Sequence, residues 1–167
     1  MDNNREIAPT AFQAYWLAYC GLNTLLKSQY FWLSIGFAIF LVPAWDVREK
    51  TTVPWVSVAF QILPSVVSFS LGAMAIILSI SSGMFLKIIQ QNGRGDSFFM
   101  KVIAAFFHFI FVQFLALFAA IFCNYYVFLW SSLFGFWLFI YSLACGVAAA
   151  AALVDVALIR NKASGID

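Results

Sequence analysis

Histidine is almost missing from this sequence, and charge is scarce along all of it. His108 is the only histidine, and charged residues make up 10% of the 167 positions. One histidine cannot build a histidine-rich metal site, and no HExxH occurs. Cys20, Cys123 and Cys145 are scattered, odd in number and without a CxxC. That excludes a disulfide framework and leaves buried, inert thiols. There is no P-loop, no paired-carboxylate site and no nucleophile–base–acid set. Intramembrane proteolysis would want two deep aspartates or a Ser–His pair, and the chain offers one histidine and one boundary aspartate. No enzymatic activity and no cofactor are therefore expected. With a net charge of only +2, no direct nucleic-acid binding is expected either.

Apolar surface is what the chain has in quantity. It is 64% hydrophobic, and a domain this small has too little interior to hide so much of it. Long uncharged runs identify the class as an all-α membrane protein. Six Trp, six Tyr and twenty Phe fit interfacial belts and a Phe-rich interior. The N-terminus carries Asp2 and Glu6 beside Arg5 and has no clean apolar core, so it does not read as a secretory signal.

Four transmembrane helices are predicted, with an N-terminal interfacial amphipathic helix before them. Pro9 suits a first helical turn. Phe12, Tyr15, Trp16, Tyr19, Leu22 and Leu26 then recur at steps of three and four opposite Gln13, Asn23 and Thr24. This segment is expected over 1–29. The transmembrane domain is expected over 30–159, with spans at about 30–45, 66–86, 98–121 and 133–154, and a tail at 160–167. The first span is short, with Pro43 near its end. Pro54 and Pro64 bracket WVSVAFQIL, either an interfacial helix or a kinked start to span two. The turn KIIQQNGRGDS separates spans two and three, and Asp96 or Ser97 can cap the latter. The RGD within it, Arg94–Asp96, reads as a plain glycine-rich turn.

Charge then sets an expected topology. Arg5, Lys27, Lys87, Arg94, Lys101, Arg160 and Lys162 fall on one side, and only Arg48 and Lys50 on the other. The positive-inside rule places both termini in the cytoplasm of a bacterial inner membrane. Lys27, Lys87, Arg94, Lys101, Arg160 and Lys162 are candidates for contact with a cytoplasmic protein partner or with lipid.

Three groups inside the apolar segments stand out. His108 and Gln113 in FFHFIFVQF read as hydrogen-bonding glue between helices or as a protonatable group on a path. Asp155 is the one acid in AAALVDVALIR, near Arg160 or the basic turn as partners. Ser142, Gly146 and Ala150, spaced by four, form a small-residue packing face. The longest pattern is in SVVSFSLGAMAIILSISSG. There Ser65, Ser68, Gly72, Ala75, Ser79 and Ser82 step by three and four. A sustained 3.5-residue period suits a seam against another helix. The serines can bond the carbonyl a turn earlier, so they do not require water. The alternative is the lining of a pore made by several subunits.

The layout of amphipathic N-terminal helix, four Phe-rich spans, cytoplasmic termini and minimal extramembrane mass resembles three groups. These are small four-pass inner-membrane components of bacterial anti-phage systems, accessory membrane proteins of RNA-targeting CRISPR systems, and immunity proteins for pore-forming colicins. The resemblance is architectural and carries no functional residue. It implies a membrane-embedded homo-oligomer acting as scaffold or sensor for a cytoplasmic partner. The alternatives are a pore-forming or depolarising effector and an immunity protein against a pore-forming toxin.

Overall fold

The computed structural model describes residues 10, 13, 15, 22–48, 52–79, 89–91 and 97–163. Among them the regular structure is helical: α1 (Leu22–Lys27), α2 (Gln29–Phe40), α3 (Val42–Trp45), α4 (Pro54–Ser79), α5 (Phe98–Tyr125) and α6 (Leu129–Ala163). Three of these, α4, α5 and α6, are long and apolar enough to cross a membrane. At about 1.5 Å per residue they reach roughly 39, 42 and 52 Å, against a hydrocarbon core of about 30 Å.

The expected first span does not form one such helix. α2 has 12 residues, or about 18 Å, and stops at Phe40. Leu41 leaves helical geometry at φ −96°, ψ 42°. Pro43 explains the break, because it has no N–H to offer the Ile39 carbonyl. The chain restarts as α3, and the Trp45 indole spans the interruption by donating to the Ala38 carbonyl at 2.7 Å. The second span differs in the other direction. Of the two readings of WVSVAFQIL, the structure has the start of span two and not a separate interfacial helix, because α4 runs from Pro54 through Pro64 to Ser79. The Phe60 carbonyl loses its ladder partner at Pro64, a defect that transmembrane helices tolerate.

α5 is the central helix. It packs on α4 and on α6, while α2 lies against α6. α5 begins where a cap allows: the Ser97 hydroxyl accepts from the Met100 amide at 3.3 Å. Two apolar clusters are arranged along the bundle. One gathers Trp55, Ala59, Leu63, Ala116, Ala120 and Phe136 at the end where α4 starts. The other gathers Ile77, Val102, Phe106, Phe109, Tyr141 and Cys145 toward the end where α5 starts. Gly135 and Gly146 permit two of the closest approaches. A Cβ on Gly135 would lie 2.7 Å from the Trp55 ring, and one on Gly146 would lie 2.8 Å from the Phe109 ring.

Candidate functional site

The polar groups inside the apolar bundle are few, and they are joined in pairs and triads between elements. His108, buried on α5, sits between two tyrosines. Its Nδ1 is 2.7 Å from the Tyr15 hydroxyl and its Nε2 is 3.0 Å from the Tyr141 hydroxyl on α6. A neutral imidazole donates from one nitrogen and accepts at the other, so it can join both hydroxyls. The Tyr141 ring stacks on Trp137 at 5.7 Å, and Trp137 in turn donates to Ser34 Oγ of α2 at 3.0 Å. His108 thus ties the N-terminal segment to α5 and α6, and the Trp137–Ser34 bond ties α6 to α2. Burial pushes the Tyr15 hydroxyl from 10.0 up to about 12, with nearby Cys145 as a lesser cause.

Gln113 is fully buried one and a half turns further along α5, and its amide donates to Ser70 Oγ of α4 at 3.2 Å. The Ser70 hydroxyl itself donates to the Val66 carbonyl. A third junction lies at the opposite end of the bundle. Ser132 Oγ donates to the Trp45 carbonyl at 2.7 Å and accepts from the Trp55 indole at 3.2 Å. Among the described residues no buried side-chain nitrogen or oxygen lacks a partner. That is what a low-dielectric surrounding demands, since an unpaired polar group there is costly.

Tyr15, Tyr141, Ser70, Ser34 and Ser132 were not singled out by sequence reasoning. The usable signal is that a deep His, Gln or Trp needs a hydroxyl or carbonyl within reach. Thr10 and Gln13 were also missed. Thr10 N donates to Gln13 Oε1 at 3.0 Å and Gln13 N to Thr10 Oγ1 at 3.3 Å, a capping box legible as T-x-x-Q.

The small-residue pattern on α4 points outward. Ser65, Ser68, Gly72, Ala75 and Ser79 are all exposed on the protomer surface, while Trp55, Val56, Ala59, Leu63, Val67, Ser70 and Ile77 form the buried face. The seam residues therefore do not pack against another described helix of the same chain. Ser82 lies outside the described residues. The Ser68 and Ser79 hydroxyls donate to the Pro64 and Ile76 carbonyls at 2.9 and 2.8 Å. On α6, Ser142 is fully buried, Gly146 lies half-buried under Phe109, and Ala150 is exposed.

The charged candidates separate by position. Lys101 in the first turn of α5 and Arg160 and Lys162 in the last turn of α6 occupy one end of the bundle and are exposed. Asp155 is exposed, and it is not ion-paired with Arg160. The single ion pair among the described residues is Arg48–Asp46, 2.9 Å apart at the other end. Lys27 ends α1 and is exposed. Lys87 and Arg94 lie outside the described residues. No group of three or more potential metal ligands occurs among the described residues. No protein-family model, curated protein or solved structure matches the chain.

Proposed function

We propose that this chain is a non-enzymatic subunit of a homo-oligomeric bacterial inner-membrane protein, a scaffold or sensor that recruits a cytoplasmic protein. In this reading the chain crosses four times, and its first crossing is the interrupted stretch α1–α3. That stretch lies against α6, with Phe31 beside Tyr141 and Trp45 bonded to Ser132. Both termini are cytoplasmic, and the partner docks on Lys27, Lys87, Arg94, Lys101, Arg160 and Lys162. The role parallels that of the anti-phage membrane components whose layout the sequence resembles.

The observation that carries the reading is the outward stripe on α4. Five small residues on one exposed face let a second helix backbone approach closely, which is how helices associate where lipid removes the hydrophobic drive. Its hydroxyls at 68 and 79 are satisfied within the helix, which favours dry packing over a wet lining. The pairing of all described buried polar groups also fits dry packing.

The test is the mass of the protein in mild detergent. One discrete oligomer is expected, with dissociation to monomer in the Ser68→Trp, Ala75→Trp double variant. A monodisperse wild-type monomer refutes the scaffold. A discrete oligomer that passes ions in a planar bilayer, with the current lost in Ser79→Leu, replaces it with the pore.

A further inference from the structure

Around Ala73 to Ser79 of α4, the start of α5 and the end of α6, α4 and α6 both pack on α5 without packing extensively on each other. Between them lies a cleft of about 430 Å³ lined by Gly72, Ala73 and Ile76 of α4, Phe99 and Val102 of α5, and Val156 of α6. Its walls are apolar, and it opens on the protomer surface, where Gly72 and Ile76 are exposed. An added Cβ on Gly72 meets nothing within 4 Å, so the mouth is wide.

The rim of the cleft is basic. Arg160 lies four residues beyond Val156, hence one turn further along the same face of α6. Lys101 lies in the first turn of α5, three residues on from Phe98, which also lines the cleft, and so is its neighbour on the helix surface. Both are exposed and neither is ion-paired among the described residues. The carboxylate nearest Arg160 in sequence, Asp155, sits about 140° round the helix from it, so it does not neutralise Arg160.

We infer that this cleft holds one acyl chain of an anionic phospholipid, with the phosphate drawn to Arg160 and Lys101. The size agrees. An apolar cavity of ~150 Å³ takes a six-carbon ring, so a cleft nearly three times larger takes a chain of about sixteen to eighteen carbons. Bilayer tails are as apolar as leucine, so an acyl chain gains little by leaving them. Discrimination must therefore come from the headgroup, where each cation contributes roughly fivefold in affinity. The inference rests on membrane placement of the chain, and the cleft mouth shares Gly72 with the face proposed for self-association.

The experiment is native mass spectrometry of the purified full chain in mild detergent. It is titrated with dioleoylphosphatidylglycerol and, separately, with dioleoylphosphatidylcholine. One phosphatidylglycerol per chain is expected, bound at least about tenfold more tightly than phosphatidylcholine. Lys101→Gln with Arg160→Gln should lower phosphatidylglycerol affinity roughly twentyfold and leave phosphatidylcholine unchanged. These two sites are exposed, so the variant keeps the fold. Ala73→Phe, which fills the cleft, should abolish the tight site for both lipids. Equal wild-type affinity for the two lipids overturns the inference. So does unchanged phosphatidylglycerol binding in both variants. Absence of lipid binding by folded wild-type protein also overturns it. A wild-type monomer that still binds phosphatidylglycerol leaves the lipid site standing and removes only the oligomer.

Discussion

Replacing Tyr141 by Phe removes one oxygen atom and almost nothing else, which makes it a clean probe of the buried histidine junction. The ring that stacks on Trp137 with an interplanar angle of 5° is retained. What is lost is the 3.0 Å contact to His108 Nε2, together with the hydroxyl's hydrogen bond to the Cys145 thiol, which the coupling with His108 cancels out. Interhelical hydrogen bonds inside membrane proteins average about 0.6 kcal/mol and reach about 1.7. His108→Leu removes two, to Tyr15 and Tyr141, so it should cost on the order of 1–2 kcal/mol. The decisive quantity is the coupling. Once His108 is Leu, Tyr141→Phe has that bond no longer to lose, and the double variant should fall short of the sum of the singles by ~0.6–1.7 kcal/mol. Reversible unfolding in mixed micelles, monitored by circular dichroism, reads all four corners of the cycle. Independent sites add within about 0.3–0.5 kcal/mol. A coupling below ~0.3 kcal/mol would therefore refute the claim that this hydrogen bond joins α5 to α6.

Gly135→Val should lower stability by ~1–3 kcal/mol, because the new side chain meets the Trp55 ring where even a Cβ would come within 2.7 Å. Trp55→Leu in the same chain should restore part of the loss in thermal unfolding, whereas equal melting of Gly135→Val and wild type would rule out the tight α4–α6 contact. Tyr15 gives a pH dependence. Burial raises its hydroxyl from 10.0 to about 12, so docking favours the neutral phenol. Its contribution is complete below about pH 10 and is lost as pH climbs toward 12. The tyrosinate absorbance of wild type minus Tyr15→Phe should titrate well above that of an ordinary tyrosine, and a difference titrating at or below the ordinary value contradicts the buried placement.

Much of the helical layout is readable from composition. The start of α5 at Phe98 is set by a serine cap before an apolar run, and the long helices α5 and α6 by their unbroken hydropathy. Breaks are harder, because proline acts through context. Pro43 sits where the next turn, α3, has no fully buried residue, whereas Pro64 lies inside a helix whose Leu63 and Val67 are held in the bundle. Facing is harder still. On α4 the set Ala59, Leu63, Val67, Ser70 and Ile77 repeats at helical spacing, as does the set Ser68, Gly72, Ala75 and Ser79. Two stripes of one period cannot be ranked by spacing alone. The volume of Trp55, Leu63 and Val67, filling the space beside α5 and α6, decides which turns inward. The partners of His108 and Gln113 were hidden for a similar reason. Their need for hydrogen bonds is local, but Tyr15 and Tyr141 are 93 and 33 positions from His108, and Ser70 is 43 from Gln113.

Ser132 also bears on how the chain is made. Its hydroxyl joins Trp45 and Trp55, which precede it by 87 and 77 residues. Synthesis runs from the N-terminus, so Trp45 and Trp55 are made long before the residue that links them. A chain cut short before Ser132 has the Trp55 indole without this acceptor and the Trp45 carbonyl without this donor, two polar groups that the finished bundle pairs through one hydroxyl.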